Sequence, residues 1–130
     1  MIDAIAWIYI QDQKLLCVRT KGKDAFYLPG GKRELGESDE ATLVREIREE
    51  LNVILQPNTI RWFQVYEADA HGYQPGTQVR LTCYRADFSG TMQPSGEIAE
   101  LAWIESGEGD RCAPVNQVVI NDLRRQGLIQ

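Results

Sequence analysis

A glycine-rich loop followed directly by an amphipathic helix pattern is the feature that most constrains the fold of this chain. The run Leu28-Pro29-Gly30-Gly31-Lys32 brings a proline and two glycines together, which is the strongest local signal for an irregular loop. Ser38 then precedes an acidic first turn, as expected where the free amides and the dipole of a helix N-terminus favour such residues. We therefore predict a loop over residues 27–31 and a helix over Asp39–Leu51.

The predicted helix has two faces of opposite character. At about 100° per residue, the apolar residues fall within one arc, which comprises Ala41, Leu43, Val44, Ile47 and Leu51. A narrower arc on the opposite side comprises Glu46, Glu49 and Glu50. One face is therefore predicted to enter the core while the other gathers carboxylates. Asn52 follows, and Asn is the non-glycine residue that best accepts the left-handed cap ending many helices.

Strand patterns flank the loop and the helix on both sides. β-branched and aromatic residues are frequent in residues 4–10, 14–18, 53–56, 60–66, 77–88 and 101–104. The first two segments predict a hairpin around Gln11-Asp12-Gln13, and residues 69–76 predict a loop. Pro114 predicts the start of a last helix, which Gly127 would end. No repeat or linker interrupts the pattern, so we expect one mixed α/β domain over residues 1–130, with its sheet between helices.

Composition excludes several classes of protein. With 130 residues, 43% of them hydrophobic, the chain can bury one core without disulfides or structural metal. Its net charge of −5 gives no basic footprint for a nucleic acid polymer. The longest apolar runs fall far short of the ~20 residues that a membrane span requires, and no targeting segment is visible. The three cysteines are odd in number and widely separated, which favours reduced thiols in a cytoplasmic protein.

The acidic face of the predicted helix suits a divalent cation. Two adjacent glutamates with a third one turn earlier present hard oxygen ligands, the type that Mg²⁺ and Mn²⁺ prefer. The alternative is an ordinary solvated face, on which Arg45 and Glu49 form an i,i+4 ion pair. Because carboxylates bind a polyanionic pyrophosphate only through an intervening cation, an acidic site of this kind is compatible with phosphate chemistry.

The register of these residues resembles the Nudix box, G-x5-E-x7-R-E-U-x-E-E-x-G-U, in which U is a bulky apolar residue. The matching residues are Gly31, Glu37, Arg45, Glu46, Ile47, Glu49, Glu50 and Val53. The one departure is Asn52 in place of the final glycine, which keeps the left-handed conformation accessible and touches no ligand. On these residues the chain is identified as a member of the Nudix hydrolase family, similar to the small MutT-like nucleotide pyrophosphatases.

The resemblance implies a Nudix-type α/β/α sandwich with a central mixed sheet, and it implies roles for the box residues. The implied metal ligands on the helix are Glu46, Glu49 and Glu50, with Mg²⁺ as the cofactor and Mn²⁺ as its alternative. Glu46 would be either a ligand or the base that activates water, and Arg45 would orient Glu46 or Glu49. Glu37 would hold a metal-bound water or a second ion. The Gly30 carbonyl would be a further metal ligand.

Outside the box the resemblance implies further contacts, each with an ordinary alternative. Glu97 lies where family members often bring an additional acidic residue to the metals; Glu100 is the alternative candidate, and the ordinary alternative is that Glu97 is an exposed loop glutamate. Lys32 and Arg19 would contact phosphate, unless both are solvated surface residues. Asn116 lies where members that remove 8-oxo-dGTP present an amide to the oxidised base, because an amide can donate to and accept from a purine edge. The alternative places Asn116 in a helix cap or first turn.

The implied activity is cleavage of the pyrophosphate bond in a nucleoside diphosphate linked to another moiety. An oxidised nucleoside triphosphate, giving the monophosphate and pyrophosphate, is one such substrate, and ADP-ribose or a nucleotide sugar is the alternative. A catalytically silent binding module is a third hypothesis, but such members usually lose box carboxylates, and all four are present here. The expected partner is therefore a small molecule. The sequence leaves open whether the protein acts as a homodimer.

Overall fold

The computed structural model of the protein describes residues 1–130. Its strands are β1 (Ile2–Trp7), β2 (Ile10–Gln11), β3 (Lys14–Thr20), β4 (Gly30–Gly31), β5 (Ile54–Leu55), β6 (Arg61–Asp69), β7 (Gln78–Arg85), β8 (Phe88–Ser89) and β9 (Ile98–Ile104). Its α-helices are α1 (Asp39–Leu51) and α2 (Pro114–Arg125). Two short 3-10 helices cover Pro57–Thr59 and Ser106–Arg111. Neither α-helix has the length and apolar character needed to cross a membrane.

Two sheets form the centre of the fold. The first is a four-stranded mixed sheet in the order β4-β1-β7-β6, in which β1 and β7 are parallel and the other neighbours are antiparallel. The second is a three-stranded antiparallel sheet in the order β2-β3-β9. A separate antiparallel pair joins β5 to β8. The predicted mixed α/β fold with a central mixed sheet is therefore confirmed.

Alternate residues of the central strands pack towards opposite helices. In β1, Ile5 and Trp7 belong to the core cluster that includes the apolar face of α1, whereas Ala6 belongs to the cluster that includes α2. In β3, Leu16 and Cys17 divide between the two clusters in the same way. Because successive side chains of a strand point to opposite faces, the strands are covered by a helix on each side. This arrangement is the predicted α/β/α sandwich.

The opening hairpin is shorter than the sequence predicts. β1 ends at Trp7 and lies in the four-stranded sheet, so residues 4–10 do not form one strand. Only Ile10–Gln11 pairs with the start of β3, through a turn in which Asp12 and Gln13 have φ values of 53° and 61°. Two positive φ values are typical of the tight turns that join hairpin strands. Because residues 5–8 are buried on both faces, the apolar run continues past Trp7 without a polar residue to mark where the strand ends.

Other strand boundaries also differ from the prediction, whereas both α-helices are confirmed. The predicted strand over 77–88 divides into β7 and β8 at Ala86, whose carbonyl accepts a hydrogen bond from the Trp7 indole at 3.2 Å. The segment 53–56 contains only the two-residue strand β5. β9 begins at Ile98, before the predicted segment 101–104. These differences arise because long-range partners, and not local propensity, set where a strand ends.

Candidate active site

α1 turns its acidic face away from the core. The predicted core positions Leu43, Ile47 and Leu51 are fully buried. Ser38 begins the helix by accepting a hydrogen bond on Oγ from the Ala41 N–H at 3.1 Å. Asn52 ends the helix in the left-handed conformation, with φ 58° and ψ 33°, and its N–H donates to the Arg48 carbonyl. The two caps and the apolar stripe together fix which residues face the loop that carries the paired glycines.

The paired glycines pass through a gap that leaves no room for a side chain. Gly30 has a φ of 150°, and a Cβ there would lie 2.0 Å from the Ile5 carbonyl oxygen in β1. A Cβ on Gly31 would lie 2.5 Å from the carboxyl carbon of Glu46. The Gly30 N–H donates to Oε1 of Glu50 at 3.0 Å. The loop is therefore in direct contact with two of the predicted metal ligands.

Arg45 lies at the centre of the acidic cluster. Its Nε and Nη2 donate to the two carboxylate oxygens of Glu37, at 2.7 and 2.9 Å. Its Nη1 donates to Glu46 at 2.9 Å and to Glu49 at 3.3 Å. Nη2 also donates to the Lys32 carbonyl at 3.1 Å. One guanidinium therefore ties the loop to three glutamates, and Glu37 holds it with the bidentate geometry that planar guanidinium and carboxylate groups favour.

Two carboxyl groups of the site have pKa values shifted in opposite directions. Hydrogen bonds from Arg45 lower the pKa of Glu37 to about 2. Burial, together with a smaller contribution from neighbouring carboxylates, raises the pKa of Glu50 to about 8, despite the bond from the Gly30 N–H. Burial also raises the pKa of Glu46, while the nearby Arg45 opposes that rise. The side of the site at Glu50 is therefore short of positive charge.

An open groove along α1 brings Glu97 to the same site. The groove has a volume of about 1170 Å³ and is lined by glutamates that include Glu46, Glu49, Glu50 and Glu97. The loop that carries Glu97 is fixed by backbone bonds from Ser95 N–H to the Glu50 carbonyl, at 2.9 Å, and from Lys21 N–H to the Glu97 carbonyl, at 2.8 Å. The charge of Glu97 also contributes to the raised pKa of Glu50. Glu97 therefore lies near the box glutamates.

The glutamates of the site fit a hard divalent cation by their chemistry, although Glu46 and Glu49 are bonded to Arg45. No three acidic, histidine or cysteine side chains converge closely enough to hold an ion as they stand. The residues present are nevertheless carboxylates, which Mg²⁺ and Mn²⁺ prefer. A cation beside Glu50 would stabilise the ionised form that burial disfavours. The carboxylate ligands, and the lack of a cationic partner for Glu50, thus fit the metal that the box implies.

Arg19 and Lys32, the predicted phosphate contacts, both lie outside the groove. Arg19 donates from Nε to Glu100 at 2.8 Å and from Nη1 to the Lys23 carbonyl at 3.0 Å. The guanidinium is therefore engaged, and Glu100, the alternative to Glu97, is its ion-pair partner. Lys32 is exposed, and only its carbonyl contacts the acidic cluster, through Arg45. Neither side chain lines the groove.

Asn116 is fully buried and its amide is engaged within the protein. Its Oδ1 accepts from the Leu28 N–H at 3.0 Å, and its Nδ2 donates to the sulfur of Cys17 at 3.5 Å. The residue lies in the first turn of α2, but Ala113 occupies the N-cap position and no side chain caps this helix. In this structure Asn116 joins α2, β3 and the glycine-rich loop.

Asn116→Ala is expected to lower the free energy of unfolding by about 1–3 kcal/mol, because the buried Leu28 N–H would lose its acceptor. The KM values for different nucleotides should change alike, since the substitution disturbs the loop and not one base contact. Urea denaturation and KM values for GTP and UTP measure the two effects. A KM increase confined to one base, with wild-type stability, would instead assign Asn116 to base recognition.

A second pocket of about 300 Å³ adjoins the groove and contains residues that the sequence did not single out. It meets the groove at Thr20 and Glu50, which line both. Its rim includes Tyr27, His71 and Tyr73. Tyr27 begins the predicted loop over residues 27–31, whereas His71 and Tyr73 lie in the predicted loop over 69–76. No local sequence pattern relates these two segments. The only sequence signal that could have indicated this pocket was the presence of aromatic side chains in these two loops.

Comparisons with known proteins give the family of the chain. A family model of the NUDIX domain matches residues 1–120. The chain therefore belongs to the Nudix hydrolase family. No curated protein sequence matches the chain significantly.

Three solved structures illustrate how widely the fold is shared. The E. coli ORF135 protein is 28% identical, with a TM-score of 0.72 over 95% of this chain and 91% of that one. A MutT protein from a study of Aliivibrio salmonicida and Vibrio cholerae is 21% identical, with a TM-score of 0.71 over 96% and 98%. A UDP-X diphosphatase is 23% identical, with a TM-score of 0.69 over 97% of this chain and 63% of its own length. The last two share the fold at low identity.

Proposed function

We propose that the protein is a metal-dependent pyrophosphohydrolase that cleaves a nucleoside diphosphate linked to another moiety. The observation that carries the proposal is the contact between the glutamate face of α1 and the Gly30-Gly31 loop, with Glu97 lining the same groove. Thr20 and Glu50 line both the groove and the adjoining pocket. A substrate can therefore place its nucleoside in the pocket and its phosphates beside the glutamates.

We propose Mg²⁺, or Mn²⁺ in its place, as the cofactor of this site. The residues that would hold it are Glu46, Glu49, Glu50, Glu97 and the carbonyl of Gly30. When bound, the cation would neutralise phosphate charge and increase the acidity of a water molecule. Without positive charge the acidic groove would repel the polyanionic part of the substrate.

The other residues of the cluster have supporting tasks in this proposal. Glu37 engages both of its oxygens with Arg45, so it would reach a metal-bound water or a second ion only by releasing that guanidinium. Its main effect is to hold Arg45 in place beside Glu46 and Glu49. The raised pKa of Glu46 suits a group that accepts a proton from water, because a more basic carboxylate is a better proton acceptor.

For the substrate, we propose a nucleoside triphosphate, including an oxidised one, ahead of ADP-ribose or a nucleotide sugar. The similar structures carry both kinds of name, since one is a MutT protein and another a UDP-X diphosphatase. In this proposal Lys32 is free to meet phosphate, and Arg19 would have to leave Glu100 to do so. Asn116 is among the residues that line the pocket, but a base contact would require its buried amide to leave Leu28 and Cys17.

The setting of the enzyme completes the proposal. We propose a cytoplasmic protein, because its three cysteines are all free thiols. Its ligand is a small molecule and not a nucleic acid polymer, in keeping with the acidic charge of the chain. A homodimer is compatible with this function.

The test is a substrate panel with purified protein. Nucleoside triphosphates, oxidised nucleotides, dinucleoside polyphosphates, ADP-ribose and nucleotide sugars are assayed with Mg²⁺ or Mn²⁺, and the products are separated. We expect cleavage of at least one compound at a pyrophosphate bond, with complete loss of activity in excess chelator and recovery when the metal is restored. Activity that persists in chelator would refute the metal proposal. No cleavage of any compound would favour a silent binding module.

A further inference from the structure

Two loops meet at the pocket through a single hydrogen bond between side chains. The loop between β3 and β4 carries Asp24, and the loop between β6 and β7 carries His71. Nε2 of His71 lies 3.0 Å from Oδ1 of Asp24, and this is the only hydrogen bond between the two loops. Asp24 is 85% exposed on its side chain and His71 is 36% exposed, so neither residue is needed to fill the core.

The hydrogen bond between His71 and Asp24 holds the His71 ring beside a second aromatic ring, that of Tyr27. The ring of His71 lies 6.2 Å from the ring of Tyr27, with an angle of 53° between their planes. Tyr27 is itself held by backbone hydrogen bonds to Val18 in both directions, each 2.8 Å long. His71 therefore sits between a fixed ring and an exposed carboxylate. Flat rings at a pocket rim are the usual surfaces on which a nucleobase stacks.

The charged groups around His71 reinforce the same geometry. Asp24 is the carboxylate in contact with the imidazole, and its pKa is lowered by that hydrogen bond. Lys23 lines the pocket beside it, and Tyr73 from the loop of His71 completes the rim. Asp69, at the end of β6, also lines the pocket. Asp24 is the only residue that forms a hydrogen bond with the His71 side chain, so this pair is the one hydrogen bond that links the two loops.

We propose that Asp24 and His71 are positioning residues that hold the two loops together, so that the Tyr27 and His71 rings form one wall for a nucleobase. The inference rests on the proposed function, because it takes the pocket as the nucleoside end of the substrate. It adds a task for the only histidine of the chain. His71 lines the pocket but not the groove that the box glutamates line, so the pair is expected to act on nucleoside affinity and not on the bond that is cleaved.

The experiment is a double-mutant cycle on binding. The dissociation constants of AMP, GMP, CMP and UMP are measured by calorimetry in Mg²⁺ for the wild type, Asp24→Ala, His71→Phe and the double variant. His71→Phe keeps a ring in the wall but removes the hydrogen bond. We expect each single substitution to raise the dissociation constant of the best-bound nucleotide about 3- to 10-fold. The dissociation constant of the double variant should be no higher than that of the single variant that binds less tightly. Asp110→Ala, at another exposed aspartate, is the control and should bind like the wild type.

Kinetics separate positioning from general damage. With the best substrate of the panel, the variants should raise KM and leave kcat within about 2-fold, and melting temperatures should match the wild type. Additive effects in the cycle, unchanged dissociation constants, an equal fall in kcat, or no binding of any of the four nucleotides would each overturn the proposal. Monophosphate binding does not require hydrolysis. If the panel shows no cleavage but the cycle behaves as expected, the proposed function fails while the positioning role stands.

Discussion

Glu49→Gln is expected to lower kcat by at least ~100-fold while the protein keeps its stability. The Glu49 side chain is 56% exposed, and its one ion pair is the 3.3 Å contact with Arg45. An exposed pair of this kind contributes at most ~1 kcal/mol to the free energy of unfolding. The substitution removes a negative charge from the proposed metal ligands, and a neutral amide oxygen is a poorer ligand for a hard cation. Turnover at saturating Mg²⁺ and urea denaturation measure the two quantities.

Glu40→Gln provides the matched control for this experiment. Glu40 also lies on α1, is exposed and lines the same groove, but its side chain has no hydrogen bond or ion pair. Its kcat should therefore remain within about 2-fold of the wild type. A similar loss in both variants would mean that the total charge of the groove matters more than ligation. Wild-type turnover in Glu49→Gln would remove Glu49 from the proposed machinery.

Arg45 explains why an acidic cluster of this density is compatible with a stable fold. Its guanidinium donates to Glu37, Glu46 and Glu49, so part of the mutual repulsion is neutralised within the protein. Glu50 lies outside this set of contacts, and burial raises its pKa. Arg45 thus compensates the negative charge on one side of the cluster, whereas the Glu50 side has no cationic side chain bonded to it. In the proposed function, that asymmetry favours the Glu50 side as the place for the cation.

The helix and its chemistry could be predicted from the sequence because their determinants are local. Ser38 and Asn52 lie at the two ends of α1 and act through hydrogen bonds within one turn. The arcs of apolar and acidic residues follow from helical geometry alone. The relative positions of the glutamates on α1 are therefore set by the helix itself and do not depend on what packs against it.

Contacts between distant segments could not be predicted in the same way. Asn116 is 88 residues away from Leu28, and nothing near either residue indicates that a backbone N–H of one meets the amide of the other. The contact between His71 and Asp24 joins loops 47 residues apart. The early break after β1 likewise depends on its pairing with β7. In each case the determinant lies in the packing of sheets, which local propensity does not describe.

The paired glycines should respond differently to substitution by alanine, Gly30 mainly in stability and Gly31 mainly in turnover. A Cβ on Gly30 would lie 2.0 Å from the Ile5 carbonyl oxygen, and the φ of 150° is one that L-residues rarely adopt. The atom in its way belongs to the backbone of a central strand and cannot move alone. Gly30→Ala is therefore expected to cost roughly 3 kcal/mol or more of the free energy of unfolding. Urea denaturation measures this loss.

Gly31→Ala meets a side chain instead, because its Cβ would lie 2.5 Å from the carboxyl carbon of Glu46. That carboxylate can rotate away, so the expected loss of stability is only about 1 kcal/mol, but Glu46 is then displaced from Arg45 and from the proposed metal site. We expect kcat to fall at least ~10-fold, since small displacements of a reacting group carry large penalties. Wild-type kcat in Gly31→Ala would show that Glu46 need not occupy its present position. Equal instability of the two variants would mean that the Glu46 side chain is as rigid as the backbone of β1.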